Sequence, residues 1–162
     1  GLGDVYKRQN IRVSSSAIRK AIAAGEMAHA MQMLGRPHRL TGAVVPGEQR
    51  GREMGFPTAN LDLPERMLLP RAGVYASRVT LEGSYTRLPA VVNVGVRPTF
   101  DGKNTSVEVH VLNFEGDLYG QELHLDFEAR LRGEERFDSL TSLKAQIAVD
   151  VEAARQLLGA FC

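Results

Sequence analysis

At 162 residues, 43% hydrophobic and 24% charged, the chain has the length and composition of one well-packed globular domain and is too short for two ordinary ones. A formal charge of +1, with basic residues dispersed among acids, leaves no footprint for nucleic acid or an anionic membrane surface. Cys162 is the single cysteine, which excludes an internal disulfide and a cysteine zinc site; no apolar run or signal-peptide core marks a membrane or secretory segment, and a cytoplasmic protein is expected.

Two short helices come first. Ser14-Ser15-Ser16 offers an N-cap for a helix over residues 17–24, with Ile18, Ala21 and Ile22 on one side and Gly25 as the stop. Met27, Ala30, Met31 and Leu34 predict a second amphipathic turn or two, ended by Gly35 and Pro37. So small a pair is expected to pack on a larger neighbour. From Arg39 the period shifts to two. A strand over 40–45 enters a glycine-bracketed loop, Gly51-Arg52-Glu53-Met54-Gly55, and a strand over 58–63 leaves it. Residues 73–81 are strand-like, and Glu82-Gly83-Ser84 reverses the chain into 85–94, where Pro89 marks an edge or bulge. Gly95 and Pro98 then predict a constrained loop through Arg97 rather than a continued strand. Val107, Val109 and Val111 alternate with Glu108, His110 and Leu112; after a turn at Glu115-Gly116-Asp117, Leu123, Leu125 and Phe127 alternate with His124, Asp126 and Glu128. A last helix carries Leu140, Leu143, Ile147, Val151, Ala154 and Leu158 on one stripe, with Lys144, Asp150, Glu152 and Arg155 at wetter positions. About six strands with no crossover helices between them predict a mostly β fold, a small antiparallel barrel whose open side the last helix covers.

Two places carry chemistry. Gly51 and Gly55 permit a backbone path that brings N–H groups close to an anion, and Arg50 and Arg52 add charge beside it. Thr58 and Asn60, two apart, put their oxygens on one face if they lie on a strand, which supplies hard ligands for a magnesium polyphosphate. The same residues also fit a plain hairpin, with Asn60 in an Asx-type turn and Thr58 a satisfied core hydroxyl. A P-loop is excluded, because no Gly-x-x-x-x-Gly-Lys-Ser/Thr occurs. Glu108, flanked by Val107 and Val109, emerges from the face opposite those valines. It reads either as a general base or as an exposed polar residue.

The segment Gly51-Arg52-Glu53-Met54-Gly55-Phe56-Pro57-Thr58-Ala59-Asn60 resembles the signature loop of riboflavin kinases, in the form found in bacterial bifunctional FAD synthetases. Leu34-Gly35-Arg36-Pro37, Leu69-Pro70-Arg71-Ala72-Gly73-Val74-Tyr75, Val91-Val92-Asn93-Val94-Gly95-Val96-Arg97-Pro98-Thr99-Phe100, Val107-Glu108-Val109-His110, Asp117-Leu118-Tyr119-Gly120 and Arg132-Gly133-Glu134-Glu135-Arg136-Phe137 follow in that family's order, extending the match across about residues 11–158. The resemblance implies a six-stranded antiparallel barrel closed by the C-terminal helix. It also implies ATP-dependent phosphorylation of the riboflavin 5′-hydroxyl, with Mg2+, to give FMN and ADP.

By the same resemblance, Thr58 and Asn60 contact magnesium and ATP phosphates, and Gly51, Arg52, Gly55 and Asn93 line the nucleotide cleft. Glu108 is the base and His110 a polar supporting residue. Leu118, Tyr119, Arg132, Glu135 and Phe137 belong to the flavin side, although Arg132 and Glu135 equally fit a pair on a helix shoulder and Phe137 a core position. Ser14, Ser15, Ser16 and Arg19 look like the last phosphate-binding segment of the adenylyltransferase domain that precedes the kinase in such synthetases. The body of that domain is missing here, so the expected division is a non-native or disordered tail over 1–9, a remnant over 10–36 and a kinase domain over 37–162, without FAD synthesis. Asp4 to Gln9 also reads as a translation of GAT GTG TAT AAG AGA CAG, which resembles a transposase-based sequencing adapter. Small barrels host many functions, and a non-catalytic flavin- or nucleotide-binding module is the alternative.

Overall fold

Ser14 opens the first helix, α1 (Ser15–Ala23), by accepting a hydrogen bond from the Ala17 amide at 3.1 Å, which satisfies one of the donors a helix start leaves unpaired. The computed structural model describes residues 14–45, 55, 57–64, 67–100, 102–114 and 116–159; the expected tail over 1–9 and the Glu115 turn position lie outside them. Gly25 turns the chain with φ +80°, and a Cβ there would meet Arg130 Cδ at 2.8 Å, so both the backbone and the packing require glycine. The second helix, α2 (Met27–Leu34), ends on left-handed Gly35. Ala21, Ile22, Met27, Ala30 and Met33 join the main core, so Met33 takes the inward place that was expected of Met31 and Leu34.

Six strands follow: β1 (His38–Val45), β2 (Ala59–Asp62), β3 (Gly73–Leu81), β4 (Arg87–Thr99), β5 (Gly102–Val111) and β6 (Glu122–Arg132). They close into a barrel in the order β1-β2-β5-β4-β3-β6, every pair antiparallel, with β6 returning to β1. Alternation decides which side chains enter. Leu40, Val44, Tyr75, Val79, Val92, Val94, Val107, Val109, Leu123, Leu125 and Phe127 fill the interior. Tyr75 meets Phe127 edge-on at 5.2 Å between centroids and donates its hydroxyl to the Arg71 carbonyl.

The loop expected over the Gly95–Pro98 stretch is strand. β4 pairs with β5 as far as Thr99↔Gly102, while its pairing with β3 ends at Gly73↔Val94. Beyond Val94 the strand is therefore an edge, the setting in which proline is tolerated. Pro89 stands just outside the β5 ladder, which begins at Ala90↔Val111; the register shifts fall instead between Val74 and Tyr75 and between Ala76 and Ser77.

The last helix, α3 (Leu140–Leu158), starts on Ser139, whose hydroxyl accepts from the Ser142 amide at 3.1 Å. Its Val151, Ala154 and Leu158 lie on Val74, Ala76, Val91 and Leu112, closing the outer wall of the barrel with a second core. Asp150, expected at a wet position, is 4% exposed. Arg132 explains this: its Nε and Nη2 reach the two Asp150 oxygens at 2.9 and 2.8 Å, and Gln146 donates to the same carboxylate at 3.0 Å. A carboxylate with that many charge-assisted bonds can leave water.

His38, where β1 begins, donates from Nε2 to the Leu68 carbonyl at 2.9 Å and stacks on Phe127. Burial lowers its pKa below the usual imidazole value; the bond to Leu68 opposes that shift and the Arg36 charge reinforces it. The fold thus prefers the neutral ring, and the unfolded chain binds the proton more readily. The stability this contributes is present above the unfolded pKa and is lost as pH falls through the lowered value. The thermal midpoint is expected to drop as pH falls below the ordinary imidazole value of about 6.5. His38→Gln, whose amide nitrogen can reach the same carbonyl, should show a shallower drop in melts over the same fall in pH.

Candidate active site

Strand register assembles a polar row from residues far apart in the chain. Asn60 on β2 stands opposite Glu108 on β5, and Glu108 stands opposite Asn93 on β4. Opposed residues of an antiparallel pair project to the same side, with Cα atoms about 4.5–5.5 Å apart. The inner side is taken by Leu61, Val92, Val94, Val107 and Val109. Asn60, Glu108 and Asn93 therefore share the outer wall, and the carboxylate stands between two carboxamides. The row runs on to Val74 and Arg132. Val74 lies under α3 whereas Asn93 is exposed, so the wet part of the wall meets the helix there.

Thr58 lies just ahead of β2 rather than on it. Ala59 is paired with Val109 and Asn60 with Glu108, and one further step of that register sets Thr58 opposite His110. His110 Nδ1 meets the Pro57 carbonyl at 2.7 Å. A carbonyl only accepts, so the proton is on Nδ1. Thr58, Asn60, Glu108 and His110 are all half-buried. Thr58 and Asn60 are thus held beside Glu108 by two ladder pairs and one side-chain strap.

The flavin-side candidates divide. Leu118 is buried in the barrel core, while Tyr119 is 59% exposed. Their loop is tied to β1: the Gly120 amide donates to the Val44 carbonyl and the Val44 amide to that of Gln121. Val45, next along, is the partner of Asn60, so this loop borders the polar row. Arg132 is clamped by Asp150, donates a further bond to the Gly133 carbonyl at 3.0 Å, and lies under the Phe137 ring at 5.8 Å. Glu135 is exposed. The segment after β6 folds back over the wall. A Cβ on Gly95 would meet Ser106 Oγ at 2.9 Å and Glu134 Oε1 at 3.1 Å, a contact that no local pattern announced.

Gly55 is an exposed turn glycine with φ +84°. Gly51, Arg52 and the side chain of Arg97 lie outside the described residues. Ser14, Ser15, Ser16 and Arg19 are exposed on α1 and do not belong to the polar row. Among the described residues no group of three or more His, Cys, Asp or Glu side chains converges.

A protein-family model described as riboflavin kinase matches residues 34–158. The chain belongs to the riboflavin kinase family. The bifunctional riboflavin kinase/FMN adenylyltransferase of Pseudomonas fluorescens is 45% identical over 148 residues, covering 91% of this chain and 47% of that protein. The Escherichia coli K12 protein of the same name is 44% identical over 149 residues, with 92% and 47% covered. The chain therefore spans about half the length of these curated relatives. Among solved structures, a Streptococcus pneumoniae chain described as a macrolide-efflux protein has a TM-score of 0.84 at 38% identity, covering 89% of this chain and 47% of that one. A riboflavin kinase from Trypanosoma brucei has a TM-score of 0.60 at 27% identity, covering 76% and 78%. No helix among the described residues is long and apolar enough to cross a membrane.

Proposed function

We propose that this chain transfers the γ-phosphoryl group of ATP to the 5′-hydroxyl of riboflavin, giving FMN and ADP. The observation that carries the reading is the placing of Glu108 between Asn60 and Asn93 on one wall, beside the strapped Thr58. Glu108 accepts the proton of the attacking hydroxyl as its oxygen bonds to phosphorus and the bond to the ADP oxygen breaks. Asn93 lines the nucleotide side of the cleft, and the Gly51–Gly55 loop with Arg52 covers the phosphates. Thr58 and Asn60 present hard oxygens, the donor chemistry that suits Mg2+, and they would hold it. That ion, bound with the nucleotide, supplies neutralisation of the phosphate charge. Tyr119 and Glu135 meet the flavin, while Leu118, Arg132 and Phe137 hold the walls behind them.

Residues 10–36 are read as the last part of an adenylyltransferase region, with Ser14, Ser15, Ser16 and Arg19 as one rim of its site, and 37–162 as the kinase domain of a cytoplasmic enzyme. Incubation with riboflavin, ATP and Mg2+, followed by chromatography of the flavins, is expected to show FMN. Riboflavin binding without FMN would put the non-catalytic module in place of the kinase.

A further inference from the structure

We infer that His110 is a positioning residue of this site: its Nδ1–H holds the Pro57 carbonyl and so sets the Thr58 and Asn60 oxygens toward Glu108. The inference rests on the kinase reading and adds to it a residue that acts through the Pro57 carbonyl. The 2.7 Å contact is at the short end for an N–H···O bond. The backbone ladder between β2 and β5 reaches only Ala59, and Pro57 has no amide proton with which to extend it. A side chain takes over where the ladder stops. Its base is firm, because His110 is opposite Val91, which is packed under α3. The held carbonyl belongs to the peptide bond that joins Pro57 to Thr58. A displacement of about 1 Å at such a point can cost roughly 100-fold in rate.

The isosteres of histidine make this testable. Asparagine carries its amide nitrogen at the position of Nδ1, and glutamine at that of Nε2. His110→Ala and His110→Gln are expected to raise the KM for Mg-ATP about tenfold and to lower kcat, with the riboflavin KM within about twofold of the parent. His110→Asn should recover most of the loss. Backbone hydrogen exchange over residues 58–60 reads the strap without catalysis; it should quicken in the Ala and Gln variants and stay near the parent rate in Asn. Unchanged Mg-ATP kinetics in His110→Ala, or equal losses in all three variants alongside a lowered melt, would overturn the positioning role. A failure of the kinase reading is separable: the parent would then make no FMN, while the exchange pattern would still report on the strap.

Discussion

Glu108→Gln is expected to lower kcat for FMN formation by about 10²–10⁴-fold, the range general-base catalysis supplies. The change keeps the size and hydrogen-bonding capacity of the side chain and removes its ability to take a proton. The flanking Val107 and Val109, 2% and 1% exposed, stay in the core, and Glu108 itself is on the outer wall. The backbone ladder and the core are left intact, so the thermal midpoint should fall far less than turnover does. KM for Mg-ATP should change little, because the carboxylate is asked to act on the hydroxyl and not to hold the phosphate. Radiolabelled phosphate transfer and a thermal melt, run in parallel, check both halves. Near-normal transfer by a folded variant would remove Glu108 from the role.

The barrel was legible because alternation is written locally. Val107, Val109 and Val111, then Leu123, Leu125 and Phe127, announce their inward faces without knowledge of a partner strand. Positions governed by a distant neighbour were not legible. Gly95 and Pro98 read as a loop since both weaken a strand, yet β4 is a one-sided edge there and β5 pairs with it to the end. Asp150 read as wet because a lone carboxylate belongs in water; its guanidinium partner is 18 residues earlier, on β6. The site shows the same divide. Thr58 and Asn60 announce each other by spacing, whereas the approach of Asn93 and Asn60 to opposite sides of Glu108 follows from the barrel order β2-β5-β4. The strap from His110 to Pro57 had only a faint signal, a histidine two residues beyond Glu108 on the same face.

Asp150→Ala is expected to destabilise the fold by about 3–5 kcal/mol, the range for breaking one partner out of a buried ion pair. At roughly 2–4 °C per kcal/mol, the melting midpoint should fall on the order of 10 °C. The side chains of Arg132 and Asp150 are 16% and 5% exposed, so the abandoned guanidinium could not return fully to water. Because the pair joins β6 to α3, the loss should appear first as faster hydrogen exchange in the helix. Replacing both partners with apolar residues, Arg132→Met with Asp150→Leu, should recover most of the midpoint, since an apolar pair avoids the desolvation that the ion pair offsets. That double variant also decides what Arg132 does for the flavin. Three of its nitrogens are already engaged, two by Asp150 and one by the Gly133 carbonyl, with Phe137 across its face. The riboflavin KM should therefore return to within about twofold of the parent once the helix is refastened. A KM that stays high in a protein with a restored melt would show that the guanidinium meets the flavin directly, and that α3 is fastened by the same group that reads the substrate.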